Sequence, residues 1–267
     1  MKKIVIKYPL TLFYPLTILI TILIGAPQIM LFPDSLKTGL MTAQWGPALG
    51  AFVVAFSLDR KIGITRLLKK ITIRNTSFKY LIIAIVLPMI LCIFSYFALT
   101  FVVNSKWVNP DMIRSFPSYV ICMIATIFSV TGEEIGWRGF MLPKMLEKYS
   151  LFTSSLIIGI LWGVWHFRFQ SISLALLYIL AVTEFSFISS WLYIKTNNNI
   201  VASILFHTSI NMGSTVLFEK IMLISNPEAN LQMNTLLYGI YSVFFAIPTL
   251  YIIIQFMRKR QLSSVPR

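Results

Sequence analysis

The sequence predicts an all-α, polytopic transmembrane helix bundle of about eight spans. Of its 267 residues, 57% are hydrophobic and only 12% are charged, and the mean hydropathy is +0.78. About one quarter of the residues in a typical soluble domain are charged, so this composition favours a membrane protein. We expect a single integral membrane domain over residues 1–267, because the length leaves no room for a large soluble domain as well.

Eight apolar stretches approach the roughly 20 residues that a transmembrane helix needs. The fifth and sixth nearly touch, and Arg168 and Gln170 mark the break between them. The first follows a basic N-terminus and has no small-residue cleavage site, which predicts a retained span rather than a removed signal peptide. The predicted spans are 9–32, 39–58, 80–104, 116–140, 152–169, 171–194, 200–218 and 235–257.

The basic residues are distributed unevenly around these spans. Seventeen Lys and Arg lie before the first span or after the second, fourth, sixth and eighth, five lie in the opposite loops, and Arg138 lies inside a span. The positive-inside rule then predicts a multi-pass protein of the cell membrane with both termini in the cytoplasm. The net charge of +14 fits this topology. It does not predict a nucleic-acid partner, which would need the charge concentrated on a soluble face.

The segment 60–79 alternates apolar and basic residues. Two interpretations fit this pattern. One is an amphipathic helix in the interface of the cytoplasmic leaflet, and the other is a plain basic loop.

Both histidines of the chain, His166 and His207, lie inside apolar stretches, and a third apolar stretch contains Glu133, Glu134 and Arg138. Ionisable residues in a membrane are costly to bury and usually face a protein-lined cavity. Two imidazoles and a carboxylate are also the components of a metal or hydrolytic site. The sequence therefore predicts an enzyme.

The acidic pair has a spacing that separates its two carboxylates. On an α-helix Glu134 and Arg138 are one turn apart and can pair, whereas Glu133 points about 100° away. Arg138 would then neutralise one carboxylate and leave the other as a base, strengthened by a low-dielectric site. The alternative is a charge cluster at the membrane edge that only sets topology.

Each histidine taken alone fits a structural role as well as a functional one. His207 stands one turn before Asn211, so the two share a helix face, and an Asn amide can stabilise an oxyanion. Together with His166 and Glu133, these residues lie on three apolar segments. Three helices could bring them to one cavity, as helix bundles do when they build metal sites.

The motifs resemble those of the CAAX-protease and bacteriocin-processing (CPBP, or Abi) family of membrane proteins. That family's pattern is Glu-Glu-x-x-x-Arg, then Phe-x-x-x-His, then His-x-x-x-Asn on successive core helices. Order and spacing match over roughly 116–218, and the one departure is Trp162 in place of Phe. The matching segments are Glu133-Glu134-Ile135-Gly136-Trp137-Arg138, Trp162-Gly163-Val164-Trp165-His166 and His207-Thr208-Ser209-Ile210-Asn211.

The resemblance implies an intramembrane endopeptidase in which Glu133 activates the attacking water. His166 and His207 would bind a metal or position that water. Two mechanisms fit these motifs. In one, Glu133, His166 and His207 hold a catalytic Zn²⁺ with an open water position; in the other, glutamate and histidine act without a metal.

The same resemblance implies that Asn211 stabilises the oxyanion and that Glu134 and Arg138 support the site. Glu184, in the sixth predicted span, is not part of the family pattern. It fits either a wall of the substrate cavity or a structural hydrogen bond to a neighbouring helix.

The expected partner is a membrane-embedded or lipidated peptide that reaches the enzyme through the lipid bilayer. A prenylated tail is the eukaryotic theme of the family, and maturation of or immunity to a bacteriocin is the bacterial one. Two other functions remain open: a proton-coupled transporter, because membrane Glu and His residues also form proton relays, and a non-catalytic immunity or scaffold protein.

Overall fold

The computed structural model describes residues 8–32, 40–72, 76–103, 116–166, 169–222 and 227–263. Over these ranges the chain is helical and contains no strand, so the predicted all-α class is confirmed. The helices are α1 (Pro9–Leu31), α2 (Gly46–Leu68), α3 (Phe78–Val102), α4 (Phe116–Glu134), a π-helix (Ile135–Met141), α5 (Leu142–Leu146), α6 (Leu151–Trp165), α7 (Ile172–Lys195), α8 (Val201–Met222) and α9 (Pro227–Ser263), with a 3-10 turn (Thr42–Trp45) before α2.

Among the described residues, five helical stretches are long and apolar enough to cross a membrane by length and composition, which makes this a multi-pass membrane protein. They are Pro9–Leu31, Phe78–Val102, Pro117–Leu146, Ile172–Lys195 and Asn230–Met257. The predicted spans 152–169 and 200–218 correspond to the shorter apolar helices Leu151–Trp165 and Val201–Leu217.

The prediction of span 152–169 was too long. Helix α6 has 15 residues, a rise of roughly 22 Å at 1.5 Å per residue. That falls short of the approximately 30 Å hydrocarbon core. The helix ends at Trp165, and Arg168 lies outside the described residues.

The chain divides into two compact units. Unit 1 is Met1–Ala84, Arg114–Lys148 and Leu192–Thr208, and unit 2 is Ile85–Ile113, Tyr149–Trp191 and Ser209–Arg267. The single domain over 1–267 and the core over 116–218 stay predictions, and the residues of that core are shared between the two units.

Close helix packing in unit 1 depends on glycine. A Cβ at Gly50 on α2 would lie 2.8 Å from Oγ1 of Thr17 on α1, and one at Gly136 in the π-helix would lie 2.6 Å from the carbonyl carbon of Pro47. Small residues let helices approach closely in a membrane, where apolar surface alone gives little drive to associate. The π-helix is therefore pressed against the start of α2.

Helix α2 is interrupted near its middle. Asp59 and Arg60 depart from helical geometry, and Arg60 takes φ 54° and ψ −140°. Across the interruption Nη1 of Arg66 donates to Oδ2 of Asp59 at 2.8 Å. The basic segment 60–79 is thus helical as far as Leu68, while Arg74 lies outside the described residues.

A glycine also allows close helix packing in unit 2. A Cβ at Gly159 on α6 would lie 2.6 Å from Cα of Thr183 on α7. Helix α7 in turn contacts α9, where the rings of Phe185 and Phe245 meet edge to face with centroids 4.6 Å apart. Helix α7 thus packs against both α6 and α9 within the unit.

Candidate active site

The Glu-Glu-x-x-x-Arg motif lies where an α-helix gives way to a π-helix. Helix α4 ends at Glu134, and the seven residues Ile135–Met141 that follow are all buried. Short π-helical turns are rare and occur frequently at functional sites. A continuous α-helix over 116–140 was predicted, and this was wrong in both the geometry and the end of the segment, since the helical chain continues to Leu146.

Glu134 is the centre of a buried hydrogen-bonded cluster in unit 1. Its Oε1 accepts a hydrogen bond from Nη1 of Arg138 at 3.1 Å and another from Nδ1 of His207 at 3.0 Å. The side chains of Glu134 and Arg138 are fully buried, and that of His207 is nearly so. The predicted pairing of Glu134 with Arg138 is present.

The contact between His207 and Glu134 was not predicted. A carboxylate only accepts, so Nδ1 of His207 carries the proton, and Nε2 is the acceptor nitrogen when the ring is neutral. The two residues are 73 positions apart, and no local spacing connects them. The order of the motifs was the only signal in the sequence that could have linked their helices.

Glu133 precedes this cluster on α4 and is also fully buried. Both Glu133 and Glu134 act electrostatically on Arg138. Two ionised carboxylates facing one guanidinium leave one negative charge in excess in a buried region, and such a charge is costly unless it is paired. The cluster thus places two carboxylates beside one guanidinium in a buried part of the protein.

His166 belongs to unit 2, where it caps the C-terminus of α6. Its Nδ1 donates to the carbonyl oxygen of Trp162 at 2.8 Å. This bond fixes the tautomer in which Nε2 of the neutral ring is the acceptor. The imidazole packs edge-on to Trp165 at 4.9 Å between ring centroids and against Tyr178 at 5.1 Å, so its orientation is held from several sides.

Asn211 also belongs to unit 2 and is half-buried on α8. The structure therefore brings Glu134, Arg138 and His207 into direct contact, with Glu133 adjoining them. The convergence of His166 and Asn211 with this cluster stays a prediction.

Glu184 is buried in unit 2 on α7. Its main-chain carbonyl accepts a hydrogen bond from Oγ1 of Thr249 on α9 at 3.4 Å. The residue thus lies at a packed contact between two helices, but this bond does not involve its carboxyl group, and both interpretations of Glu184 stay predictions.

The donor set predicted for zinc was Glu133, His166 and His207. Within the described part of the chain, no group of three or more His, Cys, Asp or Glu side chains is arranged to hold a metal ion. Nδ1 of His207 is bonded to Glu134, and a metal-binding histidine commonly donates one ring N–H to a carboxylate while the other nitrogen binds the metal. The zinc site of Glu133, His166 and His207 therefore stays a prediction.

A family model described as type II CAAX prenyl endopeptidase Rce1-like matches residues 115–213. This segment is similar to the CAAX prenyl endopeptidases. It contains all three motifs, from Glu133 to Asn211, and the predicted resemblance is confirmed. The CAAX prenyl protease 2 of Methanococcus maripaludis is 30% identical over 112 residues, which cover 37% of this chain and 41% of that relative. The similarity to this protease thus spans less than half of either chain.

Proposed function

We propose that this chain is an intramembrane endopeptidase that hydrolyses a peptide bond in a membrane-associated or lipidated peptide. The observation that carries the proposal is the buried contact of Glu134 with Arg138 and His207. Ionisable groups are rarely kept inside a membrane protein without a functional reason. This cluster also lies in the segment that resembles CAAX prenyl endopeptidases.

In the proposed reaction Glu133 accepts a proton from a water molecule, and the water oxygen attacks the scissile carbonyl carbon. The C–N bond then breaks, and the proton passes from Glu133 to the leaving amine. A buried carboxylate suits this task because a low dielectric strengthens it as a base. Asn211 donates its amide to the oxyanion that forms during attack.

The two histidines are assigned to the water and the developing charge. Nδ1 of His166 is held by the carbonyl of Trp162, so Nε2 is the acceptor nitrogen that orients the water. Nδ1 of His207 is held by Glu134, and we propose that its Nε2 contacts the same attacking water. Arg138 stabilises the negative charge of Glu134 and thereby the orientation of His207. This mechanism needs no metal and rests on the hydrogen bonds of the two histidines. Zinc-assisted hydrolysis is the alternative.

The substrate class follows from the membrane setting. A prenyl or acyl chain contributes about 0.8 kcal/mol of membrane affinity for each buried CH₂ group, so a lipidated peptide is concentrated where the enzyme is. The Methanococcus maripaludis relative is named a prenyl protease, and a C-terminal Cys-a-a-X peptide with a prenylated Cys is the substrate we propose first. A bacteriocin precursor, in maturation or immunity, is the second substrate class.

The proposed orientation has both termini in the cytoplasm, as the distribution of Lys and Arg favours. A lipidated cytoplasmic tail would then meet the site from the leaflet on which it is anchored. Reporter fusions active only in the cytoplasm should be active at both ends of the chain. Activity at one end only would contradict this topology.

The test is cleavage of a synthetic prenylated Cys-a-a-X peptide by the purified protein in proteoliposomes. We expect the wild type to release the C-terminal tripeptide and Glu133→Gln to lose at least about 100-fold in kcat, in line with the removal of a general base. Glu147→Gln is the matched control, because Glu147 is exposed and pairs with Lys144. Equal cleavage by Glu133→Gln and the wild type would contradict the proposed mechanism. Proton-coupled flux without cleavage would favour transport instead.

A further inference from the structure

Lys70, which follows the end of α2, makes hydrogen bonds to two different parts of unit 1. Its Nζ donates to the carbonyl oxygen of Gly139 in the π-helix at 2.6 Å. Its own carbonyl oxygen accepts from the amide of Ile200 at 3.2 Å, at the residue before α8. One residue thus joins the segment of Glu134 and Arg138 to the beginning of the helix of His207.

The carbonyl of Gly139 cannot make the usual α-helical hydrogen bond. In an α-helix it would accept from the amide four residues later, but that residue is Pro143, which has no N–H. A buried carbonyl without a partner is costly. The Lys70 amine supplies a donor at this point, so the irregular helix and the lysine belong to one arrangement.

The surroundings hold the Lys70 amine in place. It lies 5.8 Å from the centroid of the Tyr193 ring, over which it makes a cation–π contact. It also lines a cavity of about 130 Å³ beside Gly139. The charged groups that line this cavity with Lys70 are Asp59 and Arg66 from α2, and Lys144 and Glu147 from α5 and the residue after it.

Burial, followed by the neighbouring Arg66 and Lys144, lowers the pKa of Lys70 to about 8. The ammonium group therefore begins to lose its charge at a mildly alkaline pH, whereas an ordinary lysine stays charged to about 10.4. The charge strengthens the bond to the Gly139 carbonyl, so the link weakens as the pH rises through about 8.

We propose that Lys70 is a positioning residue of the candidate active site. It fixes the π-helix against the start of α8 and thereby sets the contact between Glu134 and His207. His207 lies seven residues after Ile200 on α8, roughly 10 Å along the helix, which is close enough for a shift at Ile200 to displace the imidazole. The effect on turnover rests on the proposed peptidase function, whereas the effect on the π-helix does not.

The test compares Lys70→Met and Lys70→Arg with Lys69→Met, whose lysine is exposed and adjoins Lys70. Two quantities are measured for each protein in proteoliposomes: kcat and KM for the prenylated peptide from pH 6 to 10, and hydrogen exchange of the peptide covering residues 135–141. Lys70→Met should lower kcat about 10- to 100-fold with little change in KM, as displacement of reacting groups does. It should also raise exchange in the π-helix, and Lys69→Met should do neither.

The alkaline side of the pH profile separates positioning from a general structural role. The wild type should lose activity above about pH 8, and Lys70→Arg should extend activity to higher pH, because arginine keeps its charge. Lys70→Arg also covers the case in which the methionine variant does not fold.

If the wild type cleaves no peptide, the hydrogen-exchange data still test whether Lys70 holds the π-helix in place. Faster exchange in Lys70→Met than in Lys70→Arg and Lys69→Met supports the proposal, and identical exchange in all three variants overturns it. The proposal is also overturned if an active Lys70→Arg variant loses activity at the same alkaline pH as the wild type.

Discussion

Nδ1 of His207 lies 3.0 Å from Oε1 of Glu134, and this hydrogen bond joins α8 to the end of α4. The same carboxylate oxygen accepts from Arg138. Glu134 is thus shared between a histidine on a distant helix and an arginine on its own helical segment. The arrangement fixes the imidazole by one edge and keeps the arginine charge compensated inside the protein.

Removing the carboxylate of Glu134 should destabilise the protein strongly. Glu134→Ala leaves Arg138 buried without this partner, and breaking a buried ion pair in this way costs about 3–5 kcal/mol. Thermal unfolding in detergent measures the loss, with the exposed Glu147→Ala as the control. The double variant Glu134→Ala/Arg138→Ala should recover part of the loss. An unfolding temperature for Glu134→Ala equal to that of the control would argue against the buried pair.

Substitution by alanine should affect stability differently at the two glycines of the π-helix. A Cβ at Gly136 would lie 2.6 Å from the backbone of Pro47, whereas one at Gly139 would meet only the carbonyl oxygen of Glu134, at an ordinary 3.6 Å. Gly136→Ala should therefore cost on the order of 1–3 kcal/mol, and Gly139→Ala should be tolerated. Unfolding temperatures of the two variants provide the measurement. Equal sensitivity would contradict the close packing of the π-helix on α2.

At the interruption in α2, in contrast, substitution of Arg60 by glycine should stabilise the protein. Arg60 has φ 54° and ψ −140°, a conformation that costs a non-glycine residue on the order of 1–3 kcal/mol. Arg60→Gly should raise the free energy of unfolding by about 1 kcal/mol, after the loss of the cation–π contact with Phe56. Lys61→Gly, at the next helical residue, should lower it by about 1 kcal/mol. Destabilisation by both variants would mean that the backbone at Arg60 is not strained.

Metal dependence separates the two mechanisms that the motifs permit. The metal-free mechanism proposed for Glu133 and the two histidines predicts that the purified protein binds zinc well below one ion per chain. Cleavage of the prenylated peptide should then survive a zinc chelator. Elemental analysis and a chelator titration measure these two quantities. One zinc per chain together with full inhibition that added zinc reverses would favour the metal mechanism.

The sequence predicted the positions of most long helices because apolar runs of about 20 residues have few alternatives in a membrane. The span predicted over 39–58 was misplaced, since α2 runs from Gly46 to Leu68. It also predicted the pairing of Glu134 with Arg138, because residues four apart on a helix are neighbours. Order and spacing of the three motifs were enough to indicate the resemblance to CAAX proteases before any geometry was known.

The features that the sequence did not predict depend on tertiary contacts. The π-helix after Glu134 and the interruption at Arg60 are backbone irregularities that a hydrophobic pattern does not encode, although Pro143 was a local signal for the first. The contact of His207 with Glu134 joins residues with no periodic relation. Helix α6 is shorter than predicted because it ends at Trp165, before the polar residues Arg168 and Gln170 that marked the predicted break.

The central claim is hydrolysis of a peptide bond that depends on Glu133. It is tested most directly by profiling the peptide termini in membranes from cells that express the wild type or Glu133→Gln at matched levels. Our account predicts new termini in membrane-associated or lipidated peptides with the wild type and none with the variant. The same new termini with both proteins would contradict it.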